Sequence, residues 1–258
     1  MKKRLRNIDN LVVFLAFLLV WEISVKRFHI QEWILPGPIQ ILQALWNARE
    51  LIIYHSKPTI IEAIAGLSIA ALFGVGISTA MQWSARLEKI IYPFLILSQT
   101  VPFIVLAPLL TVWFGFGIMP KIIVIALVCF FPITINLFDG FRSVDHDMKR
   151  FMISIGATKW QLFKFVTFPA SLPSFFSGLK VAAAYCVLGA VVAEWIGTDR
   201  GLGILLIRSA KSYLIDRVFA TIFIITLFSV IVVVIVEGIA RIFIPWHFYK
   251  NNSNGRVS

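Results

Sequence analysis

The sequence predicts an all-α membrane protein with about six transmembrane helices. Hydrophobic residues make up 59% of the chain, charged residues only 14%, and the mean hydropathy is +0.87, whereas soluble domains carry about 25% charged residues. A helix that crosses the hydrocarbon core needs about 20 mostly apolar residues. Six segments approach or exceed this length: 10–27, 59–82, 90–114, 118–138, 176–197 and 218–244. Together they define one transmembrane domain over 10–248.

The first span is less regular than the others, because Trp21 and Glu22 interrupt its apolar run. A basic N-terminus at 1–9 followed by an apolar stretch is also typical of a secretory signal peptide. No small-x-small cleavage site follows, since the next residues read ISVKRFHI, and we therefore expect a retained span. After it, the motif LPGP at 35–38 predicts a rigid turn, and the near-helical spacing of apolar residues over 39–54 predicts an interfacial helix.

Basic residues predict the orientation of the chain in the membrane. When six spans are assumed, Lys and Arg are more numerous on the side that holds the N-terminus. This bias predicts that both termini, including a polar tail at 249–258, lie in the cytoplasm together with the segment between the fourth and fifth spans. Anionic inner-leaflet lipids are a sufficient counter-charge for the net charge of +11, so no nucleic-acid partner is expected.

The polar segment between the fourth and fifth spans, about 139–175, predicts two short helices joined at Gly156. Apolar residues at helical spacing define the first helix: Met148, Phe151, Met152 and Ile155. Gly156 can adopt a positive φ and end that helix. One face of the second helix carries Trp160, Phe163 and Thr167, and Pro169 is expected to stop it. The two apolar stripes fit either an elbow resting on the lipid interface or insertion into a groove on a cytosolic partner.

A family motif begins in the same segment and ends just beyond it: Gly156, Ala157, Leu162, Phe163, Pro169, Pro173 and Gly178. It resembles the EAA loop of permease subunits of binding-protein-dependent ABC importers. Other stretches are similar to the subfamily that imports sulfonates, taurine, nitrate and precursors of thiamine or riboflavin: APLLTVWFGFG at 107–117, FFPI at 130–133, DGFRSVD at 139–145 and AEWIGTDRGLG at 193–203. The Glu-Ala-Ala that gives the loop its name is replaced by Arg150, Phe151 and Met152.

The resemblance implies a type I ABC importer permease fold in a bacterial plasma membrane, with 139–175 as a coupling loop that contains a cytoplasmic coupling helix. It also implies a permease homodimer, two copies of an ATPase subunit and an extracytoplasmic substrate-binding protein. The residues it assigns to ATPase coupling are Phe151, Ile155, Gly156, Ala157, Trp160, Phe163, Pro169 and Pro173. The chain has no G-x-x-x-x-G-K-[ST] motif, so ATP is expected on a separate subunit, and no cofactor is expected on this one.

Candidate residues for the translocation pathway or gate are polar or interrupt a span: Gln99, Pro102, Asn136 and Glu194. Gln99 and Pro102, with Pro108, mark a break in the third span that fits either a packing kink or a pathway lining. Asn136 fits either the pathway or a hydrogen bond to a neighbouring helix. An acid at Glu194, after the apolar run VLGAVVA, is unfavourable unless it is solvated or paired.

Two interpretations of Glu194 stay open: a gate or binding-protein contact, and a surface acid that pairs with Arg200 or Arg208. The cations Arg200, Arg208 and Lys211 lie on the side where few are expected. They fit either a docking site for acidic residues of the binding protein or simple solvation of a loop, and docking is the hypothesis that we carry forward.

The remaining candidates give no sign of an enzyme or a metal site. Cys129 and Cys186 fall inside apolar spans, the four histidines are scattered, and no nucleophile motif occurs. We therefore expect a non-enzymatic permease subunit of an ATP-driven importer for a small solute. The stretches CFFPI and AEWIG are most similar to importers of a thiamine pyrimidine precursor, with sulfonate, taurine or nitrate as the alternative. An ion-coupled secondary transporter would require paired intramembrane acids or inverted repeats, which the sequence does not indicate.

Overall fold

The structure is a computed structural model that describes the backbone of residues 2–196 and 198–247 and the side chains of 12–196 and 198–247. The predicted all-α class is confirmed, since these residues form helices and contain no strand. The helices are α1 Lys2–Arg27, α2 Pro38–Asn47, α3 Arg49–Trp83, α4 Ala85–Ser98, α5 Phe103–Phe114, α6 Ile118–Arg142, α7 His146–Ser154, α8 Lys159–Leu162, α9 Phe168–Ala193, α10 Leu202–Lys211 and α11 Ile215–Phe243.

Four helices within the described residues are long and apolar enough to cross a membrane, and a fifth span is counted if α4 and α5 are taken together. The four are α3, α6, the continuous run Lys159–Ala193 and α11. The predicted first span lies in α1, part of which falls outside the described side chains, and the predicted tail at 249–258 lies outside the described residues. The interfacial helix predicted over 39–54 is wrong as one element, because α2 ends at Asn47 and the remainder is the start of α3.

The third predicted span, 90–114, is not a single helix. Helices α4 and α5 meet at 103° across a short break. Pro102 causes this break, since it has no N–H to donate and disfavours helical geometry at the preceding Val101. Pro108, in contrast, lies inside α5 without ending it. The sequence predicted the interruption of the helix near Pro102 but not the 103° angle between α4 and α5.

Helices α6 and α9 run antiparallel at the centre of the bundle, and α3 packs along α6 through Gly66 and Gly74. The contact between α6 and α9 is close because Gly178 has no side chain: a Cβ there would lie 2.5 Å from the carbonyl oxygen of Pro132. Ile125 and Ile133 of α6 are fully buried, as are the free thiols Cys129 and Cys186. The two cysteines therefore act as small packing residues.

The second helix of the coupling loop does not stop at Pro169, contrary to the prediction. A π-helical turn over Phe163–Thr167 connects α8 to α9. The residue before the proline, Phe168, donates its N–H to the carbonyl oxygen of Phe163 in the wider i→i+5 pattern, and this π bonding accommodates Pro169, which has no N–H to donate. Lys159–Ala193 is consequently one continuous run of 35 residues, and the span predicted over 176–197 begins much earlier.

Candidate functional site

The two short helices of the coupling loop are each fixed by a local cap. The carboxylate of Asp145 accepts a hydrogen bond from the backbone N–H of Asp147 at 2.8 Å at the start of α7. Thr158 and Gln161 form a reciprocal capping box at the start of α8. Between them Gly156 has φ +82°, and no described atom outside its immediate neighbours lies within 4 Å of where a Cβ would be. Backbone conformation, not crowding, therefore requires glycine at this turn. We call α7, the Gly156 turn and α8 the elbow.

The elbow presents apolar side chains that the other described residues leave uncovered. Phe151 is 64% exposed, Ile155 63% and Trp160 58%. Residues of the spans are exposed to a similar degree, for example Leu72 at 74% and Val112 at 80%, so this exposure fits both interpretations drawn from the sequence, the lipid interface and a partner groove. A shallow depression of about 300 Å³ opens between the two helices, where Ile155, Gly156 and Ala157 are among its lining residues.

Phe163 does not share the open face of the elbow, although its spacing places it with Trp160. Its ring packs inward, with centroids 5.6 Å from the rings of both Trp83 and Phe141. Trp160 stacks between this inner cluster and the open side, 6.0 Å from Trp83. Pro169 and Pro173 lie further along, within α9. The structure therefore separates three exposed residues from a group that attaches the elbow to the bundle.

A half-open groove of about 410 Å³ lies where α4 and α5 meet α6 and α9. Its lining consists of Ser98, Gln99, Val101, Phe103, Leu106, Leu127, Val128, Phe131, Pro132, Val181 and Tyr185. Gln99 is therefore in the groove, and Pro102 shapes it by turning the chain between two lining residues. No charged side chain is among these described residues.

Asn136 is not part of this lining. Its Nδ2 donates to the carbonyl oxygen of Pro132 in the same helix at 2.8 Å. This bond is neither of the alternatives drawn from the sequence, because it lies within α6 and does not reach another helix.

Glu194 is fully buried, with 0% exposure. Oε1 accepts a hydrogen bond from Thr59 Oγ1 at 2.6 Å, and Oε2 accepts one from the backbone N–H of Gly203 at 2.7 Å. Within the described part of the chain it pairs with neither Arg200 nor Arg208, so the surface-acid interpretation is wrong. In this conformation it is also inaccessible to a docking protein.

Sequence reasoning missed two charged residues beside Glu194. Lys121 Nζ lies 2.6 Å from Glu62 Oε1, and their residues are only 7% and 1% exposed. The carboxyl groups of Glu62 and Glu194 also lie close enough to interact, so two acids share this site and the prediction of no paired intramembrane acids is wrong. Glu62 is the one acid in the apolar segment 59–82, a signal that marks a functional residue within a span. We call Thr59, Glu62, Lys121 and Glu194 the outer polar cluster; it lies at the end of the bundle opposite the elbow.

The three predicted docking cations lie near the same end and are exposed. The guanidinium of Arg200 sits 5.0 Å from the centre of the Tyr54 ring. Arg208 is 3.5 Å from the carboxylate of Asp199, which partly offsets its charge, while Lys211 ends α10.

Comparisons with known proteins agree with this arrangement. Residues 72–247 match the family described as binding-protein-dependent transport system inner membrane component. The chain is 36% identical over 247 residues to the formylaminopyrimidine transport permease protein ThiX of Halalkalibacterium halodurans, covering 95% of this chain and 98% of that protein. It is 31% identical to the putative aliphatic sulfonates transport permease protein SsuC of Bacillus subtilis, covering 86% and 82% of the two chains.

A solved structure has the same fold. A chain of the MetNI methionine ABC transporter, in an inward-facing conformation, superposes with a TM-score of 0.63 at 14% identity, covering 81% of this chain and 98% of the other. At that identity the likeness concerns the fold alone, and it confirms the predicted type I permease architecture. The chain therefore belongs to the inner-membrane permease family of binding-protein-dependent ABC importers, in the subfamily that includes sulfonate, taurine and thiamine-precursor permeases.

Proposed function

We propose that this ABC importer permease carries a neutral, planar pyrimidine related to thiamine from an extracytoplasmic binding protein into the cytoplasm. The observation that carries the proposal is the charge-free lining of the groove. An anion that entered it would lose its hydration without meeting a cation, which is strongly unfavourable. A neutral heterocycle would meet aromatic faces at Phe103, Phe131 and Tyr185 and the polar groups of Gln99 and Tyr185.

The relative from H. halodurans, whose name gives formylaminopyrimidine as its solute, supports the same choice. An aliphatic sulfonate is the second candidate. It is favoured by the likeness to SsuC and by the exposed cations at the outer end, which would attract an anion before it reached the groove.

The elbow is proposed as the contact with the ATPase subunit, through Phe151, Ile155 and Trp160. Three large apolar side chains on a capped, sharply turned support fit the anchors of a protein interface. This assignment places the elbow and both termini in the cytoplasm and leaves the outer polar cluster at the extracytoplasmic end. Two permease copies and two ATPase copies are proposed, because the groove is open on one side and a second permease would close it.

Reconstitution tests the solute. The permease, its ATPase and its binding protein are placed in liposomes, and ATP-dependent uptake of labelled formylaminopyrimidine is measured with unlabelled taurine or an alkanesulfonate as competitor. We expect uptake that resists both sulfonates. Gln99→Glu should reduce uptake of the neutral ring, since it puts an unpaired charge in the groove, while Gln43→Glu, on the surface of α2, serves as the matched control. Absence of pyrimidine uptake, or pyrimidine uptake that either sulfonate blocks, would contradict the proposal.

A further inference from the structure

We propose that Glu62, Lys121 and Glu194 are positioning residues for the transport cycle. They tie the loop 198–203, and with it helix α10, to the outer ends of α3, α6 and α9. Docking of the binding protein on α10 would then move three spans directly. The inference rests on the function proposed above, because it requires a binding protein that docks at this end.

Helix α3 holds the loop through a row of polar side chains on one face. His55, Thr59 and Glu62 are spaced by four and three residues and therefore line up. His55 Nδ1 lies 3.0 Å from both the backbone nitrogen and the backbone oxygen of Gly201. Thr59 Oγ1 accepts a hydrogen bond from the N–H of Leu202 at 2.9 Å. Two consecutive loop residues are thus bound to α3.

Helix α9 holds the loop through Glu194 at its C-terminal end. Its carboxylate accepts hydrogen bonds from the N–H of Gly203 and the hydroxyl of Thr59. The backbone approaches so closely that a Cβ on Gly201, which has φ +134°, would overlap the Glu194 carboxyl group. The loop therefore rests directly on this acid, with no side chain between them.

Helix α6 reaches the same loop through Lys121. Its ammonium group donates to Glu62 Oε1 at 2.6 Å and to Thr198 Oγ1 at 3.2 Å. The Thr198 hydroxyl in turn donates to the carbonyl oxygen of Arg200 at 2.8 Å. Arg200 is one of the proposed docking cations, so a chain of hydrogen bonds connects the docking surface to a buried ion pair.

Glu62 joins the two parts of the cluster. Its Oε1 accepts a hydrogen bond from Lys121 of α6, and its carboxyl group also interacts with that of Glu194 at the end of α9. This acid therefore connects the lysine that holds Thr198 to the residue on which the loop rests.

Helix α10 packs closely enough against the bundle to transmit a displacement from a docked protein to the loop. One face is buried through Leu202, Leu205 and Ser209, while Arg208 and Lys211 point outward. A protein that binds the outer face would therefore displace the helix as a unit, and the loop 198–203 is the first element that it would pull.

The test compares ATP hydrolysis of the reconstituted complex with and without solute-loaded binding protein. In the double variant Glu62→Gln with Lys121→Met, both charges are removed together, because a lone buried charge would threaten folding whereas a neutral pair is usually tolerated. We expect the ratio of stimulated to unstimulated hydrolysis to fall about tenfold, the scale of one lost charge-assisted hydrogen bond. The control Lys180→Met with Glu237→Gln neutralises an ion pair between α9 and α11 outside the cluster, and the new amide oxygen can still accept the hydrogen bond from Arg241, so the wild-type ratio should be kept.

A wild-type ratio in an assembled Glu62/Lys121 variant would overturn the inference while leaving the importer function intact. Absence of stimulation in the wild-type complex would instead remove the proposed function, and this inference with it. The two failures are therefore distinguishable.

A second measurement applies even if the double variant fails to fold. Tyr54→Cys and Arg200→Cys replace neighbours that lie outside the cluster and are partly uncovered, in a background where the native cysteines are alanine. In the same background, Thr198→Val removes the hydroxyl that links Lys121 to the loop and leaves the Glu62–Lys121 ion pair in place, so stimulation should fall. A short cleavable thiol crosslinker between positions 54 and 200 would reattach the loop to α3; it should restore stimulation, and a reductant that cleaves it should remove the gain. Wild-type stimulation in the uncrosslinked Thr198→Val variant would overturn the inference.

Discussion

Replacing Gly156 with valine is expected to uncouple the permease from its ATPase while leaving the spans intact. The φ of +82° lies in the left-handed region, where an L-residue is disfavoured by about 1–2 kcal/mol, and a β-branched residue is disfavoured further. Because the Cβ site is open, no steric clash adds to this amount. The penalty for valine is therefore at least about 1.4 kcal/mol, so the population of correctly turned elbows should fall at least about tenfold.

The assay is solute transported per ATP hydrolysed in proteoliposomes, with the amount of co-purified ATPase measured alongside. Gly156→Asn is the matched control, since asparagine tolerates left-handed geometry better than any β-branched residue, and it should retain most of the coupling. An elbow that merely rests on lipid would leave coupling unchanged in the valine variant. Wild-type transport per ATP in Gly156→Val would therefore refute the assignment of the elbow as the transmission element.

Three further predictions test the elbow, the groove and the docking cations one at a time. Trp160→Ala removes an exposed aromatic anchor and should weaken ATPase association about tenfold or more, measured by pull-down with detergent-solubilised permease. In a background without native cysteines, Gln99→Cys should react with a small polar thiol reagent in one state of the ATP cycle, whereas Asn136→Cys should be protected throughout; equal labelling of both would contradict the groove assignment. Reversing Arg208 and Lys211 to Glu should slow binding-protein association and flatten its dependence on salt, and unchanged kinetics at low and high salt would exclude electrostatic docking.

The parts of the sequence prediction that proved correct depend on signals contained in a few neighbouring residues. Gly156 was identified because a turn between two apolar stripes needs a residue that accepts positive φ, and that requirement is contained in a few neighbouring residues. Four of the six predicted spans, at 59–82, 118–138, 176–197 and 218–244, coincide with long apolar helices, because length and hydropathy are also local properties. The prediction that Pro169 ends a helix was wrong because it considered the missing N–H alone; a π turn upstream, which has no clear sequence signal, accommodates it.

Non-local contacts account for what the sequence could not give. Lys121 and Glu62 are 59 positions apart, and their pairing depends on the rotation of α3 against α6. Glu194 was recognised as unusual, yet its partners Thr59 and Gly203 come from different elements. The acid at Glu62 was visible in an apolar segment, so the sequence could have indicated one member of the cluster although it could not have assembled it.

The unbroken run from Lys159 to Ala193 has a mechanical consequence. At 1.5 Å per residue, 35 helical residues extend about 50 Å, so Trp160 and Glu194 stand near opposite ends of a single lever. A tilt of about five degrees at the elbow would displace the far end by roughly 4 Å, which exceeds the length of the hydrogen bonds that Glu194 accepts. The π turn at Phe163–Thr167 lies close to the elbow. A bend at this turn would therefore displace the far end of the helix by a large amount. A movement of the ATPase on one side of the membrane would thereby reach the outer polar cluster through one continuous helical run.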